Sequence, residues 1–192
     1  MKKASLFFKI LPIIIFTITV FLTESFDTFA VLLLSIMIHE SAHFLVFLSV
    51  GGVGSFRCVT GGLSMDTGDG SMPYVYELAL TAAGPLANLT CVILMLLVSK
   101  GQPGTAVWVN LSLAAANLLP IRTLDGGRIV SVICNLVFPF SVSKTVSDAI
   151  SAVCAFSVAF LSLYIWFRTG KGEYFVFFSF LCVARHFAND KC

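Results

Sequence analysis

Three ionisable residues lie in the middle of an apolar segment, and their spacing is that of a metal site. The segment Leu32–Phe47 reads LLLSIMIHESAHFLVF and contains His39, Glu40 and His43 as an H-E-x-x-H motif. On a helix the two histidines are four residues apart and share one face, so both imidazoles can reach one metal ion. Glu40 is displaced by about 100° around the helix and can approach a water molecule on that metal. The motif therefore predicts a metal site with an acid/base group beside it.

The composition places this motif in a membrane. The chain has 192 residues, of which 58% are hydrophobic and only 11% are charged, whereas soluble domains carry about 25% charged residues. Ionisable groups near the centre of a bilayer cost roughly 2.5–3.5 kcal/mol each, so those that occur there usually have a function. The net charge of +2 gives no reason to expect nucleic-acid binding. We therefore expect the lipid bilayer as solvent and a chemical site at membrane depth.

The apolar segments predict an all-α polytopic membrane protein that forms one domain over residues 1–192. A membrane helix needs about 20 mainly apolar residues, and the candidate spans are 6–23, 29–50, 74–98, 104–120, 146–167 and 173–188. No small-x-small cleavage pattern follows the first span, so we interpret it as a retained signal anchor. The fourth span is short and could continue, after a break at Pro120, through residues 126–138.

A short β-hairpin is predicted after the second span, at residues 53–66. Apolar and polar residues partly alternate on both sides of Gly61 and Gly62, which is typical of two strands joined by a glycine turn. The distribution of Lys and Arg predicts the orientation of the spans. With both termini in the cytoplasm, nine of the twelve basic residues lie on the cytoplasmic side, as the positive-inside rule favours.

A third metal ligand must come from elsewhere in the chain, since catalytic zinc usually has three protein ligands and one open position. His186 is the other histidine, and its place near the end of the last span favours an interfacial role. Asp125 lies in NLLPIRTLDGGRI, where Pro120 ends the preceding helix and the two following glycines permit close packing. An aspartate at such a break can point into a helix bundle, or it can serve as a turn residue or N-cap of the next helix.

Taken together, these motifs resemble those of the site-2 protease family of intramembrane zinc metalloproteases. The likeness depends on HESAH within a membrane span, on the glycine hairpin, and on a G-x-x-x-N element at Gly84 and Asn88. It also depends on an N-x-x-P-x-x-x-x-D-G pattern formed by Asn117, Pro120, Asp125 and Gly126. The order of the motifs is the family's, over roughly residues 29–135. The sequence most resembles the subgroup that contains the stage IV sporulation protease of spore-forming bacteria, although Ala42 stands where the family often has glycine.

The resemblance implies a chemistry and a substrate class. It implies that His39, His43 and Asp125 bind Zn²⁺, and that Glu40 is the general base and acid of peptide hydrolysis. The substrate would be a membrane-tethered protein in a bacterial cell membrane, with a pro-sigma factor of sporulation as the specific expectation. Membrane regulatory proteins would be further partners. Many sporulation members also carry a C-terminal nucleotide-sensing domain, which is not seen in this sequence, so the resemblance leaves nucleotide control through that domain open.

The resemblance also implies roles around the metal ligands. Asn117 would hold the active-site geometry or the substrate carbonyl, and Pro120 would shape the break that presents the third ligand. Asn88 would contact the substrate or the oxyanion, or would join neighbouring helices by a polar contact. The 53–66 hairpin would guide an unwound substrate segment by strand addition.

Other classes of function remain open at this point. The His, Glu and Asp cluster could be the relay of a proton- or metal-translocating membrane protein. The chain could also be a non-catalytic binding or adaptor protein, although binding metal alone does not need Glu40. The chain could also be a membrane protease of another H-E-x-x-H family. That group resembles families whose third metal ligand is Glu, and the sequence Asp125-Gly126 disfavours this assignment.

Overall fold

The computed structural model describes residues 25–49, 55–59, 62–66, 73–170 and 172–188. Within these ranges the chain forms six helices and two strands: α1 (Phe26–Ser49), β1 (Ser55–Val59), β2 (Gly62–Asp66), α2 (Tyr74–Val98), α3 (Thr105–Asn117), α4 (Asp125–Val137), α5 (Phe140–Thr169) and α6 (Glu173–Ala188). The predicted first span, 6–23, lies outside the described residues, and so does the side chain of His186.

Among the described residues, three helices are long and apolar enough to cross a membrane, namely α1, α2 and α5. The predicted helical membrane architecture is confirmed to this extent. Large apolar side chains such as Leu34, Met37 and Leu97 are exposed on the outside of the bundle, whereas polar ones such as Ser35 and Asn88 are buried inside it. This distribution suits lipid, because apolar outer faces need no water and the inner polar groups find partners on neighbouring helices.

Helix α3 lies within the fourth span expected at 104–120, and a second short helix, α4, follows it after a break. Helices α3 and α4 have 13 residues each, which gives about 20 Å per helix, whereas the hydrocarbon core is about 30 Å thick. The connection 118–124 separates them and contains Pro120, which supplies no backbone N–H to continue α3. The stretch 126–138 is therefore a helix of its own rather than a continuation of α3. Helix α6, with 16 residues, is also short for a span.

The strands β1 and β2 pair in antiparallel register between α1 and α2. Ser55 is opposite Asp66, and Val59 is opposite Gly62. The connecting residues 60 and 61 lie outside the described residues.

A buried isoleucine fixes the connection that leads into α4. Ile121 has no exposed surface and packs in one cluster with Ala155 of α5 and Cys182 of α6. The next residue, Arg122, donates its backbone N–H to Ser151 Oγ of α5 at 2.8 Å. Helices α5 and α6 thus anchor the backbone immediately before the first residue of α4.

The two glycines at the start of α4 are required by close packing against this connection. A Cβ on Gly126 would overlap the carbonyl of Leu118, and a Cβ on Gly127 would overlap the carbonyl of Ile121. The backbone of the first turn of α4 therefore lies directly on the preceding loop. This contact fixes the direction in which α4 begins.

We predict that Ile121→Ala lowers the free energy of unfolding by about 2–5 kcal/mol, because it leaves a cavity where α5, α6 and the connection meet. The matched control is Ile133→Ala on α4, whose side chain is 47% exposed and whose truncation leaves no cavity. Denaturant unfolding of the purified protein, followed by circular dichroism, measures both. Equal losses in the two variants would show that Ile121 does not anchor the connection.

Candidate metal centre

Two stripes of inward-facing residues meet where α1 packs against α2. Each stripe recurs every four residues, which keeps it on one side of its helix. The stripes are Ser35, His39 and His43 on α1 and Leu80, Gly84 and Asn88 on α2. His39 contacts Asn88, and His43 contacts Leu80, so the helices run antiparallel.

Hydrogen bonds to α2 fix the tautomer of both histidines. His39 Nδ1 lies 2.7 Å from Asn88 Oδ1, and His43 Nδ1 lies 2.7 Å from the backbone carbonyl oxygen of Leu80. Both partners are oxygen acceptors, so each Nδ1 carries a proton and donates it. The lone pair of each ring is then on Nε2, the usual arrangement in histidines that bind metal.

The carboxylate of Asp125 closes the cluster. Its Oδ2 lies 3.1 Å from His39 Nε2 and 3.3 Å from His43 Nε2, and the two Nε2 atoms are 3.2 Å apart. Asp125 is the first residue of α4, where a negative charge is favourable at the positive end of the helix dipole. The three ligand atoms lie within 4.8 Å of one another and could hold one metal ion.

The space in front of the two histidines depends on Gly84. A Cβ at this position would lie 2.6 Å from His39 Nε2, and nearer still to His43 Nε2. Any side chain at residue 84 would therefore occupy the region towards which both lone pairs point. Two imidazoles and one carboxylate match the donor sets of catalytic zinc sites. The residues present thus fit a zinc ion.

Asn88 connects the site to α3. It is fully buried, and its Nδ2 donates to the carbonyl of Ser35 at 3.2 Å and to Asn110 Oδ1 at 2.8 Å. Asn110 Nδ2 in turn donates to the carbonyl of Ala106 at 2.9 Å. These bonds orient the amide so that its oxygen faces His39. Of the roles suggested by the sequence for Asn88, its burial and bonding favour positioning over substrate contact.

Sequence reasoning missed Asn110, which completes this chain of hydrogen bonds. Its signal was present, because an asparagine within the apolar run of α3 needs a buried polar partner. The Leu80 carbonyl could not be found in this way, since a backbone group carries no residue-type signal.

The remaining predicted site residues do not belong to the group formed by His39, His43 and Asp125. Glu40 is partly exposed on α1, next to His39 along the chain. Asn117 Nδ2 donates to the carbonyl of Leu113, one turn back in its own helix, at 3.0 Å. Pro120 lies in the connection that precedes α4.

Part of the chain matches the model of a known peptidase family. A family model described as Peptidase family M50 matches residues 103–161. This range is less than half of the chain; it contains Asp125, Asn117 and Pro120 but not the H-E-x-x-H segment. No curated protein matches the chain.

A comparison with solved structures identifies a protein of similar fold. The chain is similar to the site-2 protease from Methanocaldococcus jannaschii, with a TM-score of 0.66 and 22% sequence identity. The similarity covers 96% of this chain and 88% of that chain. At this identity the likeness establishes a shared fold.

We predict that Gly84→Ala lowers zinc affinity at least about tenfold, because the added methyl group occupies the space in front of both Nε2 atoms. Chelator competition on the purified protein measures the affinity, and circular dichroism checks that helix content is retained. Gly104→Ala is the matched control, since a Cβ there meets no atom within 4 Å. Undiminished zinc binding by Gly84→Ala would contradict the placement of the metal.

We predict that Asn88→Ala lowers zinc affinity about 10–100-fold, because the His39 ring loses the acceptor that orients it. The same titration measures this change. Thr90→Ala serves as control, since Thr90 is an exposed polar residue of the same helix and its hydroxyl bonds only within that helix. Equal affinities of the two variants would exclude a positioning role for Asn88.

Proposed function

We propose that this chain is an intramembrane zinc endopeptidase of the site-2 protease type, which cleaves a membrane-tethered protein. The observation that carries the proposal is the convergence of His39, His43 and Asp125 from two helices, inside a bundle whose outer face is apolar. The family match over residues 103–161 and the fold shared with a site-2 protease both support it.

The proposed chemistry assigns a role to each group in the cluster. His39 and His43, through Nε2, and Asp125, through a carboxylate oxygen, would hold Zn²⁺. The ion, when bound, supplies Lewis acidity, which polarises the peptide carbonyl and makes a neighbouring water molecule more acidic. Glu40 accepts a proton from the attacking water and passes it to the leaving amine nitrogen. The water oxygen bonds to the carbonyl carbon as the C–N bond breaks, so the products are a carboxylate and an amine.

Glu40 is suited to this proton transfer by its place on α1. It directly follows a ligand histidine, yet it is turned about 100° from the ligand stripe, so its carboxylate can approach the site without joining it. Its partial exposure leaves it accessible to the water that it must deprotonate. Asn117 and Pro120 would serve the geometry of the connection that presents Asp125.

The substrate must offer extended backbone to this site. The amides of a transmembrane helix are bonded internally, so the helix has to open before hydrolysis. We assign the guiding role to the β1–β2 hairpin, because a two-stranded sheet has free edges to which an extended segment can add.

Further elements of the proposal come from the sequence. The excess of Lys and Arg supports both termini in the cytoplasm of a bacterial cell, with residues 1–192 as a single intramembrane domain. The resemblance to the sporulation subgroup suggests a pro-sigma factor as substrate and membrane regulatory proteins as further partners.

The test uses the full chain reconstituted in vesicles with single-span reporter proteins that report cleavage. We predict that Glu40→Gln lowers cleavage by at least about 100-fold, because the amide cannot accept the proton, while zinc content stays unchanged. The control is Glu173→Gln, an exposed carboxylate at the start of α6, which should leave both quantities unaltered.

Two outcomes would overturn the proposal. Full cleavage by Glu40→Gln would remove this residue as the proton carrier. Zinc or proton flux through sealed vesicles, without hydrolysis of any reporter by the wild-type chain, would instead favour the translocating membrane protein.

A further inference from the structure

A cavity of about 310 Å³, lined by both polar and apolar groups, lies between α4 and α5, apart from the metal cluster. Its volume is in the range of sites that bind small molecules or headgroups. Its lining residues are Arg122, Gly127, Ser131, Asn135, Phe140, Lys144, Ser147 and Asp148. None of the lining residues belongs to the metal cluster, so the cavity is a separate candidate binding site.

Helix α4 presents different faces to the two sites. Gly127, Ser131 and Asn135 recur at four-residue spacing and line the cavity as one polar stripe. Gly127 is about 160° around the helix from Asp125. The amphipathic sequence of α4 therefore directs its carboxylate to the metal cluster and its small polar side chains to the cavity.

The cavity carries a net positive charge. Arg122 Nη1 and Asp148 Oδ1 form an ion pair at 3.2 Å. Lys144 has no carboxylate partner within 4 Å among the described residues, and its side chain is exposed. Two cations against one anion leave one positive charge for a ligand to neutralise.

Two of the uncharged lining residues, Asn135 and Ser131, can donate hydrogen bonds into the cavity. Ser143 Oγ donates to Asn135 Oδ1, so the amide Nδ2 of Asn135 remains available to donate into the cavity. The hydroxyl of Ser131 has no hydrogen-bond partner among the described residues and can donate as well. An ammonium, an amide N–H₂ and a hydroxyl around one space suit the several acceptor oxygens of a phosphate group.

The position of the cavity along α5 points to a lipid headgroup. Helix α5 has 30 residues and is about 45 Å long, which exceeds the hydrocarbon thickness of about 30 Å. Residues 149–167 carry no charge and are long enough to fill that core. Lys144 and Asp148 then lie in the preceding turns, at headgroup depth. At the rim, Phe140 is 80% exposed and offers an apolar surface to an acyl chain.

We propose that this cavity binds the phosphate group of an anionic phospholipid. The ammonium of Lys144 neutralises the phosphate, and Asn135 and Ser131 donate to its oxygens. The site depends on the membrane placement of α5 but not on the protease chemistry. A bound lipid would brace α5 against the connection that precedes α4, through the contacts of Arg122 with Asp148 and Ser151.

The test compares lipid retention by the full chain in nanodiscs of phosphatidylglycerol or phosphatidylcholine, measured by native mass spectrometry after transfer to detergent. We expect the wild type to retain phosphatidylglycerol in preference, and Lys144→Gln to lower that preference about fivefold. Arg168→Gln is the matched control, because Arg168 is an exposed cation in the last turn of the same helix.

A second variant tests the chemistry of the cavity without removing a cation. Asn135→Asp keeps the oxygen that accepts from Ser143 but adds a negative charge, so it should abolish the preference for phosphatidylglycerol. Zinc binding, which these substitutions should leave unchanged, checks that both variants are folded.

The outcomes separate the possible ligands. Equal retention of both lipids by the wild type, or an unchanged preference in both variants, would overturn the proposal. Titration with inorganic phosphate is the second arm. If inorganic phosphate binds in a way that requires Lys144, and the two lipids are retained equally, the cavity binds soluble phosphate and not a lipid headgroup.

Discussion

The close approach of α1 to α2 at Gly84 is the constraint on which the candidate metal centre depends. Because residue 84 has no side chain, α2 can lie directly against the two imidazoles, whose Nε2 atoms a Cβ there would overlap. The same approach brings the Leu80 carbonyl and the Asn88 amide within hydrogen-bonding distance of the rings. The missing methyl group thus permits the packing that orients both histidines.

A different set of contacts positions the carboxylate side of the site. Asp125, the third proposed ligand, begins a short helix instead of lying within a long one, so its position depends on the preceding connection. Ile121 anchors that connection in a core shared by α5 and α6, and glycine contacts fix how α4 starts. Elements distant from the histidines therefore control whether the carboxylate reaches them. The proposed lipid cavity lies against the same connection, on another face of α4.

The sequence was informative where residue type and spacing carry the signal. Helical spacing inside an apolar run predicted that His39 and His43 share one helix face, and Asp125, singled out at a Pro/Gly break, lies beside both of them in the structure. The sequence could not show that α3 and α4 are separate helices, since a short apolar run fits either a broken span or two short helices. It also could not decide between a ligand and a turn role for Asp125. That choice depends on how α4 packs against α2, which local patterns do not encode.

The most direct test of a metal centre that joins the two histidines of α1 to Asp125 is the zinc X-ray absorption spectrum of the purified, zinc-loaded chain. We expect one zinc per chain, with a nitrogen and oxygen shell at about 2.0–2.2 Å and the outer-shell scattering of two imidazoles. Replacing His39 with alanine should remove the scattering of one imidazole. A sulfur shell at about 2.3 Å, or a spectrum without imidazole scattering, would contradict a metal centre of this composition.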